Sequence, residues 1–322
     1  MSLQKPPKKQ EPRRAVARFL VLVLLVAVAG VAIWAAVTNQ RIDLIEDVPA
    51  ATIELEDMTE VDGVRINVVS ESGGPVPVIF LHDLDVAGSV VWDAVAVDIG
   101  ERFAAVRIDL PGYGLSDRVP EPGNAHTVAS MADVVGTVIQ ERFTTPVVLV
   151  GVGLGGQVAA ETAATNPDMT RGLVMVDVDF WPENSWRAFA EGLPWFGRAV
   201  THTFETGGLL GEETWAPNCE TGGWCPSESQ AAARRQAVTI AGSTDSVYSF
   251  RRTLPASLVP TELAKIQVPV VFVWSKAGGV PRESVDRVLE RLPDMTVAEV
   301  EAWKAHLEAP EAVRAAIDQV GR

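Results

Sequence analysis

The stretch Val147-Val148-Leu149-Val150-Gly151-Val152-Gly153-Leu154-Gly155-Gly156 decides the fold. Residues 147–151 are continuously apolar, a glycine-rich turn follows, and residues 156–166 carry a helical pattern. A short run with no polar residue fits a strand covered on both faces, as in a parallel sheet under helices. The same alternation recurs on either side. Strands are predicted at Val64–Ser70, Val76–His82, Ala104–Leu110, Gly172–Val178, Val268–Trp274 and Thr296–Ala302, and helices at Val90–Arg102, Thr127–Arg142, Arg282–Leu292 and Ala309–Val320. This rhythm predicts an α/β domain with a doubly wound, mostly parallel sheet. It breaks between about residues 180 and 265, a stretch without a strand pattern that holds five of the nine Trp. A helical lid inserted between two strands is the expected cause.

The N-terminus is chemically different. Phe19 to Val37 reads FLVLVLLVAVAGVAIWAAV, 19 residues without a charge. At a helical rise of about 1.5 Å per residue that run crosses a hydrocarbon core of about 30 Å. Lys5, Lys8, Lys9, Arg13, Arg14 and Arg18 precede it, whereas residues 38–60 carry one Arg and seven acidic residues. The positive-inside rule then places the N-terminus in the cytoplasm and the main domain outside. The expected division is a basic cytoplasmic tail at 1–14, a transmembrane helix at 15–37, a linker at 38–52 and the α/β domain at 53–322, in a single-pass cell-membrane protein. A cleaved secretory signal is the rival reading; its apolar region is usually shorter, and Trp34-Ala35-Ala36-Val37 is a weak small-x-small exit.

The chain has 322 residues, with 27 Lys and Arg against 42 Asp and Glu and a net charge of -15. A surface so acidic is a poor partner for nucleic acid. Four His without close pairing give no metal signature, and no cofactor is implied. The two cysteines, Cys219 and Cys225, flank a Gly-rich loop, and in an oxidising compartment a local disulfide is the plain expectation.

Four segments carry a family resemblance. Phe80-Leu81-His82-Asp83 with Ser89 and Trp92 is similar to the His-Gly loop of α/β-hydrolases. Asp109-Leu110-Pro111-Gly112-Tyr113-Gly114-Leu115-Ser116-Asp117 is similar to their D-x-P-G-x-G-x-S segment, and Val148 to Gly156 resembles their strand-turn-helix elbow. Pro269 to Pro281 together with Leu307-Glu308-Ala309-Pro310-Glu311 resembles their last strands and helix. In style the chain is nearest to the epoxide hydrolase, haloalkane dehalogenase and esterase branch. The elbow alone also resembles the nucleophile-free G-x-G-x-G of the N-myc downstream-regulated family.

The resemblance implies a nucleophile at the centre of the elbow, an acid after the seventh strand and a His before the last helix. Those three positions read Gly153, Gly278 and Trp303. Gly153 has no heteroatom with which to form a covalent intermediate. His306 lies three residues past the implied base position and would serve only if the loop slipped. A triad acts as a unit, so three vacancies together point to loss of the mechanism. The reading is a pseudoenzyme, a binding or accessory protein of the cell envelope whose partner is another envelope protein or an apolar ligand. The alternative is a hydrolase of an ester, epoxide or similar apolar substrate through a non-triad mechanism, with His82 and Asp83 as weak catalytic candidates acting on water. The backbone N–H groups of Leu84 and Leu154 match oxyanion-hole positions and, with Trp303, are the candidate ligand-binding residues. Asp177 and Asp179 sit where some dehalogenase-like members place an alternative acid, and strand-end capping is the plainer role. Phe180, Trp181, Trp186, Trp195, Phe196, Trp215 and Trp224 could line a cavity, meet a partner or form the lid's own core.

Overall fold

The structure is a computed structural model that describes residues 11–55, 57–71, 73–119, 126–181, 186–206, 224–257 and 262–322. Eight strands form one sheet: β1 (Met58–Val61), β2 (Val64–Ser70), β3 (Val76–Leu81), β4 (Phe103–Ile108), β5 (Val147–Val152), β6 (Thr170–Val176), β7 (Val270–Ser275) and β8 (Thr296–Val300). Their spatial order is β1-β2-β4-β3-β5-β6-β7-β8. β2 runs antiparallel to β1 and β4, and every later pairing is parallel.

The helices are α1 (Glu11–Ile45), α2 (Asp93–Ala96), α3 (Val128–Arg142), α4 (Leu154–Thr165), α5 (Trp186–Glu191), α6 (Phe196–Thr201), α7 (Glu228–Thr239), α8 (Ser243–Ser257), α9 (Arg282–Leu289), α10 (Ala305–Glu308) and α11 (Pro310–Val320). Every residue of β3 and β5 is buried. Alternate side chains serve opposite layers: Ile79, Leu81 and Leu149 pack with Met131, Val135 and Val158 of α3 and α4, while Val78, Phe80, Val148 and Val150 pack with Trp92, Val313 and Ile317. The period of two along each strand divides the apolar residues between two cores.

Three elements depart from expectation for local reasons. β1 is a four-residue edge strand with a half-exposed Met-Thr-Glu-Val pattern, too short to show a period. The helix expected from Val90 to Arg102 shrinks to a 3₁₀ turn at Gly88–Trp92 and the single turn of α2. Gly100, at φ 93°, ends that segment in a left-handed turn. Most informative is α1, which does not stop at Val37 but continues through residues 38–45, read above as linker. Ala35, Thr38, Asn39 and Ile42 are buried along one face, followed by Glu46 just beyond the helix. That spacing is a helical stripe packed on a neighbour.

The neighbour is the segment between β6 and β7, the stretch expected to form a lid and called so below, whose described part is α5 to α8. The ring of Trp34 meets that of Phe196 edge-on with centroids 5.6 Å apart. Asn39 Nδ2 donates to the Trp195 carbonyl at 3.1 Å, and Arg198 pairs with Asp43 at 2.9 Å and with Asp245 at 2.7 Å. The Glu46 carboxylate accepts the backbone N–H groups of Gly242 (3.2 Å) and Thr244 (2.9 Å) at the start of α8. A carboxylate from outside the helix thus caps it, where the orphan donors and the positive end of the dipole favour an anion. Val48 and Ile240 complete the join as a parallel bridge. Residues 15–33, in contrast, are fully exposed and mostly apolar. Of the lid features expected from sequence, Trp215 and Cys219 lie outside the described residues, as do the first ten residues of the basic tail.

Two outcomes follow for the join. Removing the cap with Glu46→Ala is expected to destabilise the domain by about 1–2 kcal/mol. Burial raises the Glu46 carboxyl above its usual range, so Glu46→Gln, which keeps one acceptor without the buried charge, should cost less; thermal unfolding at neutral pH compares the two. His202, beside Thr206 Oγ1 and Thr244 Oγ1 at 2.9 and 3.1 Å, is pushed from 6.5 to about 4, first by burial and then by Arg198 and Arg41. The unfolded chain therefore binds this proton first. The His202 contribution is present above pH 6.5 and is lost as pH falls toward about 4. His202→Gln should flatten this part of the acid side of the melting-temperature profile.

Candidate active site

The site is assembled where β5 turns into α4. Gly153 sits at φ 51° and ψ -116°, a conformation that strains any residue with a Cβ and that glycine adopts freely. The surrounding glycines allow close approach: a Cβ on Gly155 would stand 2.2 Å from the Leu81 carbonyl oxygen, and one on Gly151 would stand 2.2 Å from that of Gly155. The glycine run is therefore what lets α4 start directly against β3 and β5. No dinucleotide has to be invoked for it.

In front of Gly153 lies a carboxylate. Asp83 Oδ1 accepts the Leu154 N–H at 2.9 Å, and a Cβ built on Gly153 would fall 2.2 Å from the same oxygen. Asp83 therefore fills the volume that a nucleophile's side chain would need and takes one of the two N–H groups expected to bind an oxyanion. It is also an anion at the N-terminus of a 12-residue helix, a favourable placement by the dipole and by hydrogen bonding alike. Leu154 is accordingly already engaged. Leu84 lines the neighbouring cavity.

The loop is held by His82 and Asp85. His82 is fully buried; its Nδ1 lies 2.6 Å from the Asp83 carbonyl and its Nε2 accepts the Leu110 N–H at 3.0 Å. An Nδ1–H donor with an Nε2 acceptor is the neutral ring, and burial accordingly depresses its pKa. Both nitrogens are spent on backbone, so His82 has no nitrogen left with which to activate water. In this geometry His82 is bonded at both nitrogens to the backbone of its own loop and of Leu110, and the Asp83 carboxylate faces the Leu154 N–H. Asp85 Oδ1 binds Arg234 Nη1 at 2.7 Å and the Ala87 N–H at 2.9 Å, which ties the loop to lid helix α7.

The Asp109 to Asp117 segment is structural in the same way. Asp109 accepts the Ser89 N–H (2.6 Å), the Leu115 N–H (2.9 Å) and Asn67 Nδ2 (2.7 Å). Asp117 clasps Arg65 at 2.7 Å. Asp177 is at φ 48°; its carboxylate receives the Ser275 N–H (2.7 Å) and Ser275 Oγ (2.6 Å), and Ser275 Oγ in turn accepts the Ala305 N–H at 2.9 Å. It stitches β6, β7 and α10 together. Burial raises its pKa while the Ser275 hydrogen bonds oppose the shift. Asp179 accepts the Trp181 N–H at 2.9 Å.

The two remaining triad positions do come together. A Cβ on Gly278 would lie 2.9 Å from the Trp303 carbonyl oxygen. Trp303 donates its N–H to Glu308 at 2.7 Å and carries the Lys304 ammonium 5.0 Å from its ring centroid. Trp303, Asp83, Arg234 and His306 share a cavity of about 180 Å³, on the scale of the roughly 150 Å³ void that holds one benzene. His306 is buried against Trp92, with ring centroids 5.2 Å apart. Among the described residues its Nδ1 has no hydrogen-bond partner, and burial holds the ring well below the usual histidine range. Of the lid aromatics, Trp224 reaches this cavity, Phe180 joins the main core, and Trp181 lies under Arg287 and Arg291 at 5.7 and 4.9 Å. Trp195 is 53% exposed. The inward turn of the Asp83 carboxylate was missed from sequence because an inward and an outward carboxylate read identically there.

A side chain at 153 and the carboxylate at 83 exclude each other. Gly153→Ser is expected to destabilise the domain by about 1–3 kcal/mol from backbone strain, with a further loss from the clash. Asp83→Ala in the Gly153→Ser background should recover that further loss but leave the strain. A double-mutant cycle from denaturant unfolding reads the coupling.

A model of the alpha/beta hydrolase family matches residues 78–316. A 2-(acetamidomethylene)succinate hydrolase of Mesorhizobium japonicum is 29% identical over 118 residues, 37% of this chain and 41% of that protein. Haloalkane dehalogenase 2 of Mycobacterium tuberculosis is 25% identical over 266 residues, 79% of this chain and 90% of that protein. The chain spans 40% to 50% of the length of three curated hydrolase and esterase relatives that it matches. A thermophilic esterase from Thermogutta terrifontis superimposes with a TM-score of 0.62 at 20% identity, covering 81% of this chain and 95% of its own. The sheet order, the glycine elbow and the extent of the family match agree, and the chain belongs to the alpha/beta hydrolase family.

Proposed function

We propose that this protein is a membrane-anchored, non-catalytic member of the family that works by binding at the cell envelope. The observation that carries the reading is the Asp83 carboxylate seated on the Leu154 N–H in front of a side-chain-free Gly153. An oxyanion forming there would meet a negative charge in place of a donor, the reverse of what acyl transfer requires. Gly278 and Trp303 supply neither an acid nor a base at the positions that implied them.

Anchoring is supported by the exposed apolar stretch and by the docked helix that follows it. Residues 15–33 leave a band of Leu and Val exposed among the described residues, a state that suits lipid and not water. Cleavage in the Trp34 to Val37 segment would cut a continuous helix beside Ala35, which is fully buried in the join. An uncleaved anchor keeps that contact. Placing the domain outside the cytoplasmic membrane follows from the charge asymmetry of the flanks.

Turnover tests the reading. The full-length protein in lipid nanodiscs, offered acyl esters, an epoxide and a haloalkane, is expected to give no rate above buffer. A rate that Asp83→Ala abolishes would establish the alternative, a hydrolase working without the triad.

A further inference from the structure

The part of the lid that meets α1 exposes large apolar side chains. Phe189 is 73% exposed, Trp195 53% and Leu193 37%. All three lie within the fifteen residues that precede the end of the α6 turn, and the lid's own packing leaves them uncovered. Trp195 is also one of three non-glycine residues with positive φ among the described residues, at 63°. A left-handed Trp costs energy that an exposed loop ordinarily avoids by using Gly or Asn. Here the strain presents an indole to the outside while the Trp195 carbonyl stays fastened to Asn39 of α1.

The position of this face relative to a bilayer follows from the helix. α1 has no break between its exposed apolar part and its docked part. Trp34, near the end of the apolar run, packs on Phe196, the residue next to Trp195. Phe196 therefore lies at the level where the hydrocarbon would end, and Trp195 and Leu193 lie one to three residues from it. The join is rigid, because Asn39, Asp43, Glu46 and Val48 each hold the lid at a separate point. A domain fixed this way cannot turn its lid away from the membrane without breaking those contacts.

We propose that the lid face bearing Phe189, Leu193 and Trp195 rests in the interfacial layer of the same phospholipid bilayer that α1 crosses. Trp is the residue suited to that layer, with an apolar body and one polar N–H, and an amphipathic surface segment sinks about 5–10 Å into it. Phe204, 38% exposed, is on the same lid just past α6 and also lines the cavity beside Asp83. The membrane-facing side and the cavity are thus linked through one short segment. This placement rests on the anchored reading above.

The test is quenching of tryptophan fluorescence in the full-length protein, reconstituted in phosphatidylcholine nanodiscs whose acyl chains are brominated near the carbonyl end. The part of the lipid-dependent quenching that disappears in Trp195→Phe measures contact at the lid, and the part that disappears in Trp34→Phe measures the anchor. Loss of quenching in both variants is the expected result. Loss in Trp34→Phe alone would overturn the lid proposal and leave the anchor standing, whereas no quenching of the wild-type protein would overturn both. Phe189→Trp in the Trp195→Phe background supplies a second reporter, expected to regain quenching; a folded variant that stays dark to bromine would also overturn the proposal.

Discussion

One volume in front of the elbow can hold either a side chain at 153 or the carboxylate of Asp83, and this steric choice organises the rest of the site. With glycine at 153 the carboxylate moves onto the Leu154 N–H, where the start of α4 favours an anion. Asp83 then needs a loop that carries it to that point. His82 provides it by bracing the loop to Leu110, and Asp85 by pairing with Arg234 of the lid. The three residues act together, each through a different partner, to hold the Asp83 carboxylate in front of Gly153.

The architecture persists because its signature segments are held by structure as much as by catalysis. Asp109 gathers donors from Ser89, Leu115 and Asn67, and Asp177 bridges β6, β7 and α10 through Ser275. A buried acceptor stripped of such donors is costly, about 1–3 kcal/mol each. These aspartates would therefore be retained in a protein with no turnover at all. Likeness in those segments reports the fold; the chemistry has to be read from positions 153, 278 and 303.

Much of the sheet was legible because a fully buried parallel strand leaves a continuous apolar run, as Val147–Val152 does. β1 was illegible: four residues at an antiparallel edge, two of them buried, are too few to establish a period from sequence. The positions expected to carry the nucleophile and the base, 153 and 303, could be counted in sequence from the glycine run and from Glu308, since both motifs have fixed spacing. The inward turn of Asp83 could not, because sequence shows which residue follows His82 but not which donor its carboxylate will face. The continuation of α1 was hidden for a related reason. Asn39 and Glu46 look like linker residues, and their helical and capping places show only once Trp195, Thr244 and Gly242 are seen to offer them partners.

That last point bears on how the two halves of the molecule are joined. A flexible linker between membrane and domain would leave orientation to chance and the lid free in solvent. With α1 crossing a bilayer as proposed, a continuous helix with a buried stripe would convert the membrane normal into a fixed direction for the domain, within the tilt of about 0–40° that such helices adopt. The price is polar burial: Glu46 is only 7% exposed, and its carboxylate is kept there by two backbone donors at the start of α8. A carboxylate with those donors is a better fit for a joint than an apolar residue would be, because it binds a helix terminus in one geometry and leaves two donors unsatisfied if it lets go. The joint is thus specific before it is strong.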